Sequence, residues 1–304
     1  MSQQANLIVG LIAQTSIHAG AGSSAGIVDL PIQREGHNGW PCIFGSSVKG
    51  ALRAKADAVF KDDQSLIDMI FGPSFNSEIT HAGAISVGDA RLLLLPVRSL
   101  TSAFKWVTCP AALSRYKRDL EMMGKTIVLP EANISGESQA FWSSDDSDLY
   151  LEEYRFEAQK QDLTATITAI ASLVNREGFK ESLEKQLVIV SDDMFAYLVL
   201  NATPVNAHIA INSDGSKTVR ESALWYEETL PPETVLYTPI MANSSRVPKP
   251  KDDEKEVNRL DALAIANMVE NGLFAEQNRW LQVGGNETVG MGWCAVTTEL
   301  VGGR

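Results

Sequence analysis

Val283-Gly284-Gly285-Asn286-Glu287-Thr288-Val289-Gly290-Met291-Gly292 is the stretch on which the reading of this chain turns. Closely spaced glycines let a backbone approach a ligand or another chain segment. The stretch has no Walker Lys-Ser/Thr and does not follow the GxGxxG order between a strand and a helix, so it is no recognisable nucleotide-binding loop. A tight turn without a ligand has the same composition, so its meaning depends on what flanks it. Downstream, residues 289–299 read as a final strand; upstream, residues 257–272 read as a helix preceded by a mobile loop at 243–256, NSSRVPKPKDDEKE.

Further upstream, residues 205–226 alternate polar and apolar around Asp214-Gly215, a strong hairpin signal. This hairpin carries His208, Lys217, Arg220 and Trp225, shows no continuous hydrophobic face, and is expected to project from the body. Glu227-Glu228 follows it; adjacent glutamates usually mark a solvated strand or turn. Residues 163–200 read as two helices around a strand at Gln186–Ser191, and FWSSDDSD (141–148) as an exposed turn. Pro110 opens a helix that Gly124 closes, with Leu113, Tyr116, Leu120 and Met123 on its apolar stripe and Arg115, Lys117 and Arg118 around it. Residues 84–95 read as a strand kinked at Gly88.

The N-terminal part holds the candidate chemistry. Residues 6–15 form a buried strand. A long irregular stretch, 16–45, then carries His18, Asp29, Gln33, Arg34, Glu35, His37 and Trp40; loops of that length are usually functional or disordered. Asp29, with His18 before it and Arg34 after it, suits acid–base work or metal ligation, although a lone loop aspartate is more often a turn residue. A helix starts at Ser46-Ser47 with a hydroxyl cap, and Val48, Leu52, Ala56 and Val59 mark its apolar face. Lys49 and Arg53 sit one turn apart near the positive helix N-terminus, a placement that suits phosphate.

Composition narrows the classes. The chain has 304 residues, 44% hydrophobic and 21% charged, as expected for one or two globular domains. No apolar run approaches the length of a membrane span, and the N-terminus lacks the basic flank of a signal peptide. The three cysteines have no zinc or disulfide spacing, which points to a reducing, cytoplasmic setting. The net charge of −12 argues against non-specific coating of nucleic acid. It is uneven, however: residues 98–118 hold five bases and no acid, whereas residues 145–162 hold seven acids and two bases.

Six ordered segments together carry a resemblance: SIHAGAGSSAGIVDLPIQRE (16–35), GSSVKGALR (45–53), ISVGDARLLLLPVRSL (85–100), SRYKRDLE (114–121), ALWYEETLPPETVLY (223–237) and the glycine-rich stretch 283–292. They resemble the Cas7-like backbone subunit of the Cmr effector complex of type III-B CRISPR systems, in the RAMP superfamily (repeat-associated mysterious proteins). The resemblance covers nearly the whole chain and is weaker over 125–200 and 241–275. It implies an α+β fold in a single domain, a ferredoxin-like, RRM-like β-α-β-β-α-β core with large insertions, the glycine-rich loop as signature and the hairpin as a projecting thumb.

The resemblance also implies partners and chemistry. Copies stack head to tail along CRISPR RNA beside other Cmr subunits, and thumbs displace nucleotides from the guide–target duplex. The target RNA is cut beside each displaced nucleotide in a reaction that needs a divalent metal, Mg²⁺ or Mn²⁺. Attack by the neighbouring 2′-OH leaves a 2′,3′-cyclic phosphate and a 5′-hydroxyl. Asp29 matches the family's cleaving aspartate, as proton acceptor or metal ligand; His18 and Glu227 match helper positions. Lys49 and Arg53, then Arg34, Arg98 and Arg118, with Gly284 and Gly285, are the expected RNA-binding residues. No membrane partner is implied. The other readings are a guide-RNA scaffold without catalysis and, more remotely, a small-molecule enzyme.

Overall fold

A computed structural model describes residues 4–303 except 75, 78–79, 135, 144–147, 213–218 and 249–258; side chains of 219–223 and 303 are also outside the description. The Asp214-Gly215 turn, Lys217 and the later part of the expected loop at 243–256 therefore lie outside the described residues.

β1 (Ala5–Ala13) is buried along its whole length. Its alternate residues feed two cores: Leu7, Val9 and Leu11 on one side, Ile8 and Ile12 on the other. After the irregular stretch come β2 (Cys42–Ile43), α1 (Gly45–Val59), α2 (Gln64–Phe71), β3 (Ile85–Val87) and β4 (Ala90–Arg98). The expected kink at Gly88 is a full break between β3 and β4, held by a hydrogen bond from the Gly88 N–H to the Pro239 carbonyl (2.9 Å). Val48, Leu52 and Ala56 of α1 are buried as expected, but Val59 is exposed.

The start of α1 corrects the sequence reading. Ser46 and Ser47 lie inside the helix, and no flanking hydroxyl caps it. The cap comes from elsewhere: Asp89 Oδ1 accepts from the Gly45 N–H (2.7 Å), and Gln33 Oε1 accepts from the Phe44 N–H (2.6 Å). Acceptors remote in sequence satisfy the donors a helix end leaves open.

β5 (Phe104–Thr108) leads to α3 (Pro110–Met123), whose Pro and left-handed Gly124 ends and buried stripe match the pattern in the sequence. β6 (Gln139–Trp142), β7 (Asp148–Leu151), β8 (Tyr154–Lys160), α4 (Thr164–Ala171), α5 (Phe179–Gln186), β9 (Leu187–Val190) and α6 (Asp192–Asn201) follow. Two expectations change here. Phe141 and Trp142 are buried in β6 rather than exposed in a turn. Three helices, not two, surround β9, because Gly178 and Ser191 each open a separate helix. The chain ends with β10 (Val205–Ile211), β11 (Val219–Glu228), β12 (Val235–Ala242), α7 (Ala262–Asn267) continuing as a π-turn over Met268–Leu273, β13 (Trp280–Gln282) and β14 (Trp293–Gly303).

The fold is mixed α+β around one large sheet, ordered β13-β14-β1-β12-β4-β5-β9-β6-β8-β7, with β2 also on β4 and β3 also on β12. β4 joins two regions. Its first half pairs with β12 and its second half with β5. On the β1 side every pairing is antiparallel, whereas the β5–β9 and β6–β8 pairings are parallel. α1, α2 and α7 cover one face and α3, α4 and α5 the other.

β10 and β11 form a separate two-stranded sheet, joined at the end of β11 by an isolated bridge between Leu30 and Glu227. Contrary to the sequence reading, this hairpin has an apolar face: Val205, Ile209, Ile211, Leu224 and Tyr226 are all exposed. Cross-strand register, Ala207 opposite Tyr226 and Ile209 opposite Leu224, places these residues on one side. His208 and Trp225 stack on the other side. No helix among the described residues is long and apolar enough to cross a membrane.

Candidate functional site

The stretch 16–45 lacks long regular elements but is tied down on two sides. Its two legs pair with each other: Gln33 N–H donates to the Ala19 carbonyl (2.8 Å) and Ala21 N–H to that of Pro31 (2.9 Å). Between them residues 20–27 are exposed, Ile27 to 94%. The second leg also lies along the end of β11: Leu30 N–H donates to the Tyr226 carbonyl (3.1 Å), and Glu228 N–H to that of Leu30 (3.0 Å). Asp29 is held at this junction. Its Oδ2 accepts from the Tyr226 N–H at 2.8 Å. Oδ1 has no hydrogen bond among the described residues, and the side chain is half-buried.

Glu227 and Glu228 are both buried, which corrects the expectation of a solvated pair. Successive strand residues face opposite ways, so two adjacent buried glutamates require cover on both sides of the strand. On one side, Glu227 Oε1 accepts from Asn286 Nδ2 (2.6 Å) and lies 3.9 Å from His18 Nδ1. His18 Nδ1 is also 2.8 Å from the Glu228 carbonyl oxygen. Both neighbours of Nδ1 are acceptors, so that nitrogen carries the proton. On the other side, Glu228 Oε1 accepts from Arg34 (2.5 Å) and Thr203 (2.7 Å), and Oε2 from the Ile32 N–H (3.1 Å). Arg34 further donates to the carbonyls of Gly39 (2.7 Å) and Val199 (3.0 Å), so its guanidinium faces inward.

The glycine-rich stretch closes over His18. Gly284 has φ +81°, and a Cβ there would sit 2.4 Å from the His18 carbonyl oxygen. The Gly285 N–H donates to that same oxygen (2.8 Å). Beside it a cavity of about 420 Å³ is lined by Gly20, Gln33, Ser47, Gly50, Gly284 and Gly285. Walls of such small residues leave backbone open to a ligand. Lys49 lies on the helix that forms one wall, half-buried and without an acidic partner among the described residues. Burial, then the charges of Arg53 and Arg246, hold its ammonium below the ordinary lysine pKa. Arg53 is itself engaged by the Gly72 carbonyl (2.5 Å) and Asp68 (3.1 Å).

The structure thus brings Asp29, His18, Glu227, Arg34, Gly284 and Gly285 to the root of the hairpin, while Lys49 and Arg53 lie on α1, the helix whose Ser47 and Gly50 line the cavity. Arg98 and Arg118 belong elsewhere: Arg98 pairs with Glu152 (2.7 Å), and Arg118 donates to Ser114 (2.9 Å). Sequence reasoning missed Thr203, Asn286 and Arg246, and it undervalued Glu228. Asn286 meets the hairpin only through the tertiary fold, whereas Thr203 sits at the hairpin's own base, two residues before β10. The one local hint was the adjacent glutamates at a strand end.

Among the described residues, no group of three or more His, Cys, Asp or Glu side chains is placed to hold a metal ion. The Asp29 oxygen without a hydrogen bond among the described residues is a donor that suits a hard cation, which takes one or two carboxylates and keeps several waters. The cysteines offer no alternative chemistry, for all three are buried and free, and burial pushes the Cys42 and Cys294 thiols up to about 12.

The profile of the RAMP superfamily matches residues 11–295. A protein of Pyrococcus furiosus named CRISPR system Cmr endoribonuclease Cmr4 is 37% identical over 303 residues, spanning 97% of this chain and 96% of its own. The crystal structure of oligomeric Cmr4 from Pyrococcus furiosus superposes with a TM-score of 0.73 at 32% identity, covering 98% of this chain and 99% of that one. A chain in the structure of a type III-B Cmr-beta complex bound to cognate target RNA shares the fold, with a TM-score of 0.68 at 22% identity over 97% of this chain and 96% of that one.

Proposed function

The chain belongs to the RAMP superfamily, in its Cmr4 family, and on that premise we propose that it polymerises along CRISPR RNA as a backbone subunit of a type III-B complex and cleaves complementary target RNA at regular intervals. The observation that carries the cleavage reading is Asp29: one carboxylate oxygen is fixed by the hairpin backbone and the other has no hydrogen bond among the described residues.

The fold supports the reading of a single RAMP domain on a ferredoxin-like core. Strands β1, β4, β12 and β14 occur in that chain order, with α1 after the first and α7 before the last. In the sheet they lie β14-β1-β12-β4, all antiparallel. The other elements are insertions. The separate hairpin is the thumb, and its exposed apolar side suits a wedge between stacked bases, which must be unstacked before an enzyme can reach them.

The chemistry follows from position. A displaced nucleotide beside the hairpin root brings its phosphodiester to Asp29. The 2′-oxygen attacks the adjacent phosphorus, its proton leaves, and the bond to the 5′-oxygen of the next nucleotide breaks as that oxygen takes up a proton. The products are a 2′,3′-cyclic phosphate and a 5′-hydroxyl. Fixing the in-line geometry supplies much of the rate. Asp29 Oδ1 is the atom available to accept the proton or to hold a divalent cation, and both roles require the same placement. Mg²⁺ or Mn²⁺, when bound, supplies positive charge against the phosphate. His18 and Glu227 stand one layer behind, and Lys49 with Arg53 and the glycine-walled cavity receives the guide backbone.

The test is target cleavage by the reconstituted complex, wild type against Asp29→Ala, in Mg²⁺ and in EDTA. Evenly spaced cuts that vanish in the variant while RNA binding persists are expected. Cuts that survive in Asp29→Ala refute the assignment and leave the chain as a guide-RNA scaffold.

A further inference from the structure

We infer that Glu228 is a positioning residue for the Asp29 carboxylate: it touches no RNA, and it holds the segment on which Asp29 rides in register against the hairpin. The inference rests on the assignment of Asp29 above.

Glu228 is buried, and every contact it makes leads to a different part of the site. Its side chain gathers Arg34, Thr203 and the Ile32 N–H. Its own N–H donates to the Leu30 carbonyl, and its carbonyl oxygen accepts from His18 Nδ1. Asp29 immediately precedes Leu30, and the Tyr226 N–H that anchors Asp29 lies two residues before Glu228 on the same strand. Residues 30–32 are therefore held to β11 at two levels, by the backbone pairing at Leu30 and by the Glu228 carboxylate at Ile32. If the second tie is lost, the segment carrying Asp29 is left with the Leu30 and Asp29 contacts alone on that side. The apex beyond it, residues 21–27, is exposed and reaches the segment through backbone bonds from the Ser24 N–H to the Asp29 carbonyl and from the Ala21 N–H to the Pro31 carbonyl (both 2.9 Å), neither of which ties it to β11.

Only an ionised carboxylate satisfies this set. Three donors converge on two oxygens, and all three must be accepted. Glutamine has the same shape but one acceptor oxygen; whichever way its amide turns, an NH₂ group meets Arg34 and Thr203 or meets the Ile32 N–H. Glu228→Gln thus loosens the register without opening a cavity. Thr203→Val removes one donor and leaves the ties to Arg34 and Ile32.

The experiment compares wild type, Asp29→Ala, Glu228→Gln and Thr203→Val in the assembled guide-RNA complex. It reads target affinity, the single-turnover cleavage rate at saturating target, and hydrogen exchange at residues 29–32. In Glu228→Gln the cleavage rate is expected to fall about tenfold while target affinity stays within about twofold, and exchange at residues 29–32 quickens. Thr203→Val is expected to lose about two- to threefold in rate, which keeps the inference testable if Glu228→Gln fails to assemble. Cleavage at the wild-type rate by Glu228→Gln, with Asp29→Ala inactive, overturns the positioning role and leaves the Asp29 assignment intact. Parallel losses of affinity and rate overturn it also, by showing a general structural role. Wild-type cleavage by Asp29→Ala overturns the assignment itself, and the positioning role falls with it.

Discussion

Asp29 and Glu228 are carboxylates on segments that run side by side, and their surroundings are opposite. Glu228 is buried, with both oxygens occupied by three donors. Asp29 is half-buried, with one oxygen on a backbone N–H and the other open. The saturated group binds the fold together and has no capacity left for a substrate. The half-satisfied group is held firmly enough to be aimed and still has a lone pair to offer. Arg34 and Lys49 repeat the contrast among the cations, since Arg34 is locked between Glu228 and two carbonyls while Lys49 has no acidic partner among the described residues.

The largest break in this comparison is expected from Asp29→Ala. Cleavage should fall by ~100-fold or more, the usual scale of a lost acid–base group. The melting temperature should hardly move, because the side chain leaves no buried partner behind. Glu228→Ala should do the reverse in kind and lower stability first. Removing one partner of a buried ion pair costs about 3 kcal/mol, or roughly 5 °C in a thermal melt of a chain this long. Equal melting curves for the two variants would contradict the distinction between the carboxylates.

Gly284→Ala sharpens the picture on the His18 side. A methyl group meets the His18 carbonyl oxygen at 2.4 Å on a backbone with φ +81°, so a loss of about 2 kcal/mol is expected in chemical denaturation. A smaller effect tests the cations. Burial and the neighbouring arginines hold Lys49 below the ordinary lysine pKa, so as pH rises it loses its charge, and with it its attraction for phosphate, before an unperturbed lysine does. Guide-RNA affinity of the wild type should decline on the alkaline side sooner than that of Lys49→Arg, which stays charged. Overlapping pH profiles would remove Lys49 from the phosphate grip.

Much of the frame was legible in the residues. The buried first strand, the α3 helix between Pro110 and Gly124, and the hairpin after residue 205 follow from local pattern, and each is found. The α1 cap was misread because its acceptors, Asp89 and Gln33, arrive from other segments. For Arg34 and Arg53 the sequence shows the charge and not the partner. In the fold both guanidiniums donate to protein carbonyls and carboxylates.

What the sequence determined alone is the buried first strand, the helix from Pro110 to Gly124, the hairpin and the chemical inventory, since periodicity, caps and turn residues act over a few neighbours. Which carboxylate is open and which is closed was decided only by tertiary structure. Glu228 meets Arg34 and Ile32 across more than 190 residues, and His18 lies under Gly284 across still more of the chain. Saturation depends on how many donors converge on one atom, and convergence of distant segments is a property of the packed sheet and loops, not of any local stretch.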